Sequence, residues 1–227
     1  MKLILSCEHG GKEIPSAYTH LFSEAKGVLA THRGYDPGTL TLFEYLKELA
    51  DFSKSNSVSR LLIECNRSLH HPRLFSEFTK ACSKDIKDQL IATYYLPYRQ
   101  SVEQAIAKEI QKGHTVLHLS LHSFTPQLAH TLRNCDIGLL YDPKRAEERI
   151  FCRRFKKELL AENDRLKIRF NYPYLGSADG FTSFLRKKFP TQYLGIELEI
   201  NQRHVVQNKF PQTLKTQIKN SLKQLIY

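Results

Sequence analysis

His, Asp and Glu residues stand at wide separations in this chain, each where an apolar run gives way to a turn, and three of them have the donor types of a metal site. The run 2–7 ends in Glu8-His9-Gly10-Gly11. The segment Thr31-His32-Arg33-Gly34-Tyr35-Asp36-Pro37-Gly38 stops just before an amphipathic stretch, and the run 115–121 ends in His122-Ser123-Phe124-Thr125-Pro126. Two imidazoles and a carboxylate from such positions would form a three-ligand zinc site that leaves one position for water. In an open α/β sheet, residues just beyond the carboxyl ends of strands converge on one crevice, so positions this far apart in sequence can meet.

Period-two geometry sharpens the candidates. In His118-Leu119-Ser120-Leu121-His122 the histidines and the serine share one face of a strand while the leucines point the other way. His122, at the strand end, is the better ligand; His118 lies deeper and reads as a hydrogen-bonded core histidine or a supporter of the ligands. In Gly195-Ile196-Glu197-Leu198-Glu199-Ile200-Asn201 the two glutamates share a face. A solvated edge strand is the plain explanation, but carboxylates in so apolar a run are costly unless they face water, a cation or a metal site. A hydrolytic metal site needs a carboxylate beside the metal to take a proton from water, and Glu199 or Glu197 has that type. The segment Leu61-Leu62-Ile63-Glu64-Cys65-Asn66-Arg67-Ser68 adds a guanidinium whose planar fork matches a carboxylate, so Asn66 and Arg67 are candidate contacts for an acidic substrate.

Other polar residues have plainer readings beside the functional ones. His32 either lines the crevice or faces water, and His70 and His71 belong to a loop before Pro72 that reads first as surface. Cys7 has no base positioned for thiolate chemistry and reads as a buried strand-end residue. Arg186 either holds a second substrate carboxylate or decorates a helix surface.

These residues need elements to position them. Apolar runs predict strands over 2–7, 57–65, 115–121, 135–141, 166–170 and 193–200. Helical patterns cover 39–52, 84–112 with a break expected at Pro97, 144–162, 179–188 and 211–226. Strands alternating with helices of this length predict a single-domain α/β fold over residues 1–227, with a largely parallel or mixed sheet and helices on both faces.

The first apolar run is far shorter than a signal peptide requires, and no window has the long uncharged run of a membrane span. Five cysteines, odd in number and without CxxC pairing, point to a reduced, cytoplasmic protein. The net charge of +11 would suit a phosphate polymer as well as a small carboxylate. The basic clusters Arg153-Arg154, Lys156-Lys157 and Arg186-Lys187-Lys188, with Lys215, Lys219 and Lys223, lie on helical patterns and read as solvated faces. Neither zinc-finger spacing nor alternating aromatic and basic residues support nucleic-acid binding.

Taken together, the segments resemble the N-formylglutamate amidohydrolase family, which is akin in layout to zinc carboxypeptidases and aspartoacylases. The resemblance runs nearly end to end. It is carried by Ser6-Cys7-Glu8-His9-Gly10-Gly11, His32 to Gly38, Cys65-Asn66-Arg67-Ser68-Leu69 and Leu121 to Pro126, then by Asp136 to Tyr141, Asp179-Gly180-Phe181-Thr182 and Leu198-Glu199-Ile200-Asn201-Gln202. It implies a phosphorylase/hydrolase-like fold, one bound zinc per chain, and hydrolysis of the amide of an N-acyl acidic amino acid such as N-formylglutamate. Carried over residue by residue, His9 and His122 match the imidazole ligands and Asp36 the carboxylate ligand, Arg67 the substrate clamp and Glu199 the base. The aspartoacylase-like branch uses His-x-x-Glu, but here Lys12 stands three beyond His9 and Glu13 one later, which ranks Asp36 ahead of Glu13. A metal-dependent amidase or peptidase acting on another N-acyl amino acid or a peptide fragment is the nearest alternative. A nucleic-acid-binding protein and a noncatalytic relative of the same fold are the others.

Overall fold

A computed structural model describes residues 1–226, Lys26 by its backbone alone. Eight strands and seven α-helices follow one another along it: β1 (Lys2–Cys7), α1 (Lys26–Leu29), α2 (Thr39–Leu46), β2 (Phe52–Ser55), α3 (Lys84–Leu90), α4 (Leu96–Gln111), β3 (Val116–Phe124), β4 (Gln127–Leu128), β5 (Thr131–Leu132), β6 (Ile137–Leu140), α5 (Ala146–Glu162), β7 (Ile168–Phe170), α6 (Phe181–Lys188), β8 (Tyr193–Asn201) and α7 (Gln212–Ile226). Six strands form one sheet in the order β2-β1-β3-β8-β6-β7, and β4 and β5 form a separate two-stranded one. The first four of the six run parallel; β6 runs antiparallel to β8, and β7 parallel to β6. The sheet is therefore mixed, as the alternation of elements allows.

Strand periodicity divides the core in two. Leu3, Leu5, Leu117, Leu119, Leu121, Leu198 and Ile200 pack on one face against Leu42 and Phe43 of α2, Phe155 of α5, and Ile218 and Leu222 of α7. On the other face Ile4, Val116 and Tyr193 meet Tyr98, Val102 and Ile106 of α4 and Phe181 and Leu185 of α6. Every residue of β3 and β8 is buried, because both are central strands covered on both faces. The expectation of a solvated edge for Glu197 and Glu199 fails for that reason.

Three departures from the sequence reading have physical causes. The segment 57–65 is not a strand: Asn56 folds its side-chain oxygen back to accept from the Val58 amide at 3.1 Å, a local turn that ends β2. Leu61, Leu62 and Ile63 are nonetheless buried, so the apolar run reported burial without reporting strand geometry. The helix expected over 39–52 stops earlier, with a 3-10 turn at Lys47–Leu49, and Phe52 opens β2. The break expected at Pro97 is a π-helical turn, Ile91–Tyr95, between α3 and α4. A proline lacks the amide donor and crowds the carbonyl four residues back, and a widened turn accommodates both.

Candidate active site

Parallel strands bring their carboxyl ends to one edge, and there the separated residues meet. His9 lies two residues past β1, and His122 near the end of β3 stands opposite Glu199 of β8 in the ladder. Asp36 lies just ahead of α2, whose start requires Gly38 in the left-handed region at φ 85°. The Asp36 amide donates to the His9 carbonyl at 2.9 Å, which ties the two loops together.

One donor atom each from His9, Asp36 and His122 lies within 4.8 Å of the others, and all three residues are buried. Asp36 Oδ2 is 3.2 Å from His9 Nδ1 and 3.0 Å from His122 Nδ1. The far nitrogen of each ring meets another carboxylate: His9 Nε2 is 2.5 Å from Glu64 Oε1, and His122 Nε2 is 3.2 Å from Glu8 Oε2. A carboxylate behind an imidazole holds the N–H on that side and turns the other nitrogen's lone pair toward a metal. These supports are themselves held. Arg60 Nε donates to Glu64 Oε2 at 2.8 Å, while Ser120 Oγ donates to Glu8 Oε2 at 2.6 Å and Tyr98 Oη to Glu8 Oε1 at 3.0 Å. The donor set, two braced imidazoles and a carboxylate around one point, fits a divalent cation.

The electrostatics favour positive charge at that point. Burial opposes ionisation of Glu8, but hydrogen bonding and attraction to His122 hold it well below the usual carboxylate range. Burial is likewise overcome at Asp36 by His9 and His122, and at Glu64 by Arg60 and His9. Burial pushes both imidazoles down, and Arg60 pushes His9 further down. The facing carboxylates outweigh this, Glu64 and Asp36 for His9 and Asp36 and Glu8 for His122, so both end raised.

Glu199 behaves in the opposite way. Burial, with Asp36 and Glu197 adding to it against His122, pushes its carboxyl up to about 7. Its Oε2 is buried with no hydrogen-bond partner among the described residues. Glu197, two residues earlier, is engaged: its Oε1 accepts from Thr182 Oγ1 at 2.7 Å. The two glutamates that periodicity cannot separate are thus separated by their partners.

A crevice of about 410 Å³ opens over this cluster, lined also by Arg60, Asn66, Arg67, Arg73, Tyr174 and Leu175. Arg67 donates to the Asp179 carbonyl and has no carboxylate partner among the described residues. Asn66 is committed to the frame, its Oδ1 accepting from the Phe181 amide at 2.8 Å and its Nδ2 lying 3.4 Å from His122 Nε2.

Several expected residues fall elsewhere. Arg186 does not reach the crevice and is no surface arginine either. It is buried, with its guanidinium 2.9 Å from Glu148 Oε1, 2.6 Å from the Gly176 carbonyl and 2.5 Å from the Gly195 carbonyl. Glu13 is exposed, and its backbone bridges to Val58, so it is Asp36 that lies with the two histidines. His32 is exposed, and His70 borders a separate groove. His118 is buried between Tyr193 Oη and Ser6 Oγ, each at 2.8 Å. Burial pushes the Cys7 thiol up to about 12, which leaves no thiolate there. Glu8, Glu64 and Arg60 were not singled out from the sequence. Their signal was a charged residue bounding an apolar run, which must find a partner when the run is buried.

Comparison with known proteins gives the family and the fold. A sequence profile for a family described as N-formylglutamate amidohydrolase matches residues 1–206. The chain belongs to the N-formylglutamate amidohydrolase family. Its members are hydrolases that act on an amide. The fold is similar to that of the gene product Atu2144 from Agrobacterium tumefaciens, at 22% identity and a TM-score of 0.77 over 100% of this chain and 92% of that one. It is also similar to that of N-formylglutamate amidohydrolase from Ralstonia eutropha, at 16% identity and a TM-score of 0.72 over 99% of this chain and 92% of that one. No curated protein matches the chain.

Proposed function

We propose that this member of the family is a zinc-dependent amidohydrolase that cleaves the amide of an N-acyl acidic amino acid, N-formylglutamate being the leading substrate. The observation that carries the reading is the convergence of His9, Asp36 and His122 on one point beside the unpartnered oxygen of Glu199. A zinc ion held by those three residues would supply Lewis acidity to a water and to the acyl oxygen.

The chain's own residues supply the rest. Glu199 takes a proton from the attacking water, a task suited to a carboxyl pushed up to about 7 from the ordinary 4.5. The water oxygen bonds to the acyl carbon, the C–N bond breaks, and Glu199 returns the proton to the departing nitrogen. The products are a small acid, formate in the leading case, and a free amino acid. Arg67 pairs with the substrate's carboxylate, since its guanidinium stands in the crevice with only a backbone carbonyl as partner among the described residues. Glu64 and Glu8 orient His9 and His122, and Arg60 holds Glu64 and offsets Asp36, from which it lies 3.4 Å.

The test is release of free amine from formyl, acetyl and longer acyl derivatives of Glu, Asp and neutral amino acids, with zinc-loaded and chelated protein. The expected result is about one zinc per chain, turnover of the formyl acidic substrates, and loss of both in His122→Ala. Arg67→Lys should raise KM with metal content normal, because lysine keeps the charge but loses the fork. Full activity in the chelated protein would overturn the metal role, and release only from longer acyl groups would favour an amidase of different substrate range.

A further inference from the structure

Three arginines line the crevice, and their surroundings give them different work. Arg60 is spoken for, with Asp36 Oδ1 at 3.4 Å and Glu64 at 2.5 Å. Arg67 touches a backbone carbonyl, which leaves its charge uncompensated. Arg73 is exposed at the rim, and its guanidinium has no hydrogen bond or ion pair among the described residues.

Its backbone, by contrast, is fixed. The Arg73 amide donates to His71 Nδ1 at 3.0 Å. The carbonyl of the next residue, Leu74, accepts from the Glu64 amide at 2.9 Å, and Leu74 is buried in the second core cluster. Arg73 is thus anchored beside the segment that carries both Glu64 and Arg67, while its charged head is left free toward the crevice. None of the four carboxylates that share the lining pairs with it among the described residues: Asp36 faces the histidines, Glu197 accepts from Thr182, Asp179 accepts from the Ser68 amide at 3.1 Å, and Glu199 Oε2 is buried without a partner. Arg186, the residue expected to read a second substrate carboxylate, is held by Glu148 outside this crevice.

We propose that Arg73 is the specificity-determining residue that reads the second carboxylate of a dicarboxylic substrate, the first being taken by Arg67. The assignment rests on the hydrolase reading above for its reaction, and on the two uncompensated guanidiniums for its substrate class. Two cations on one short segment match two carboxylates on one small molecule. A guanidinium that meets a carboxylate in a partly desolvated cleft forms a charge-assisted, often bidentate pair that the corresponding amide cannot form.

The experiment compares N-formylglutamate with N-formylglutamine in the zinc-loaded protein and in Arg73→Ala and Arg73→Lys variants. In parallel, calorimetry measures binding of glutarate against butyrate. The native protein should favour the diacid at least tenfold in kcat/KM and in affinity. Arg73→Ala should bring both ratios down toward one, and Arg73→Lys should restore part of each. Hydrolysis with a selectivity ratio untouched in Arg73→Ala would overturn the assignment and leave the hydrolase reading standing. Arg73-dependent preference for glutarate without hydrolysis of any N-acyl amino acid would do the reverse, supporting Arg73 as a diacid reader and overturning the reaction. Absence of both hydrolysis and diacid preference would overturn both.

Discussion

Glu199 and Glu197 point from the same face of β8, yet one has a hydroxyl partner and the other has a bare, buried oxygen. Glu199→Gln should keep its zinc and lose about a hundred- to ten-thousand-fold in kcat, because an amide of the same shape cannot accept the water's proton. Glu197→Gln should cost less, since an amide still accepts from Thr182. Measuring kcat and metal content in both variants decides the matter, and a dead Glu197→Gln beside a healthy Glu199→Gln would move the base by two residues. His118 yields a prediction of a different kind. Burial, with Arg186 and His122 adding to it against Glu8, lowers its imidazole from 6.5 to about 4. Between those values the unfolded chain binds a proton that the folded chain does not, so this residue makes stability rise with pH through that window and fall on acidification. Its share is roughly 3 kcal/mol across the full window. His9 and His122 are shifted the other way and contribute the opposite slope, so the effect is read as a difference. Urea unfolding of the native protein and a His118→Asn variant between pH 4.5 and 7 should show that difference, and identical slopes would refute it.

At the scale of elements, the site depends on close approach of backbones that only small residues permit. Gly138 on β6 stands opposite Glu199 of β8, and a Cβ built there would lie 2.0 Å from the Tyr172 carbonyl oxygen and 3.3 Å from Glu199 Cβ. The carbonyl belongs to backbone and cannot swing aside. Gly138→Ala should therefore destabilise by about 1–3 kcal/mol and lower kcat by displacing β8 under Glu199. Equilibrium unfolding with kinetics at a permissive temperature checks it; a variant of native stability and turnover would show that β6 yields without disturbing β8.

Across the whole molecule, the proposed zinc would join three segments that lie far apart in sequence: the turn after β1, the loop before α2, and β3. A ligand that binds only the folded state stabilises it, by about 2.7 kcal/mol at a hundredfold excess over Kd. In a domain of this size that is a shift in Tm of roughly 5–10 °C. Chelation should lower Tm by that order, with zinc restoring it, whereas the His122→Ala protein should not respond. A Tm indifferent to metal and chelator in the native protein would contradict the triad.

Much of the site was legible in the sequence because the relevant signals are local. Period-two alternation put His118, Ser120 and His122 on one face of β3 and Glu197 and Glu199 on one face of β8, and strand-end positions marked His9 and His122 as residues of one sheet edge. The alternation of strands and helices likewise announced the α/β class. Tertiary structure decided what depends on partners distant in sequence. Asp36 rather than Glu13 lies beside the two histidines because the His9 carbonyl captures the Asp36 amide across 27 residues of chain. Arg186 turned inward because Glu148 and two backbone carbonyls wait for it there, and its helical pattern carries no trace of them. The segment 57–65 left the sheet because a side-chain turn at Asn56 outcompeted the ladder for the Val58 amide. Spacing reports which residues share a face, but a charge's role follows from what stands opposite it, and only the folded chain brings those groups together.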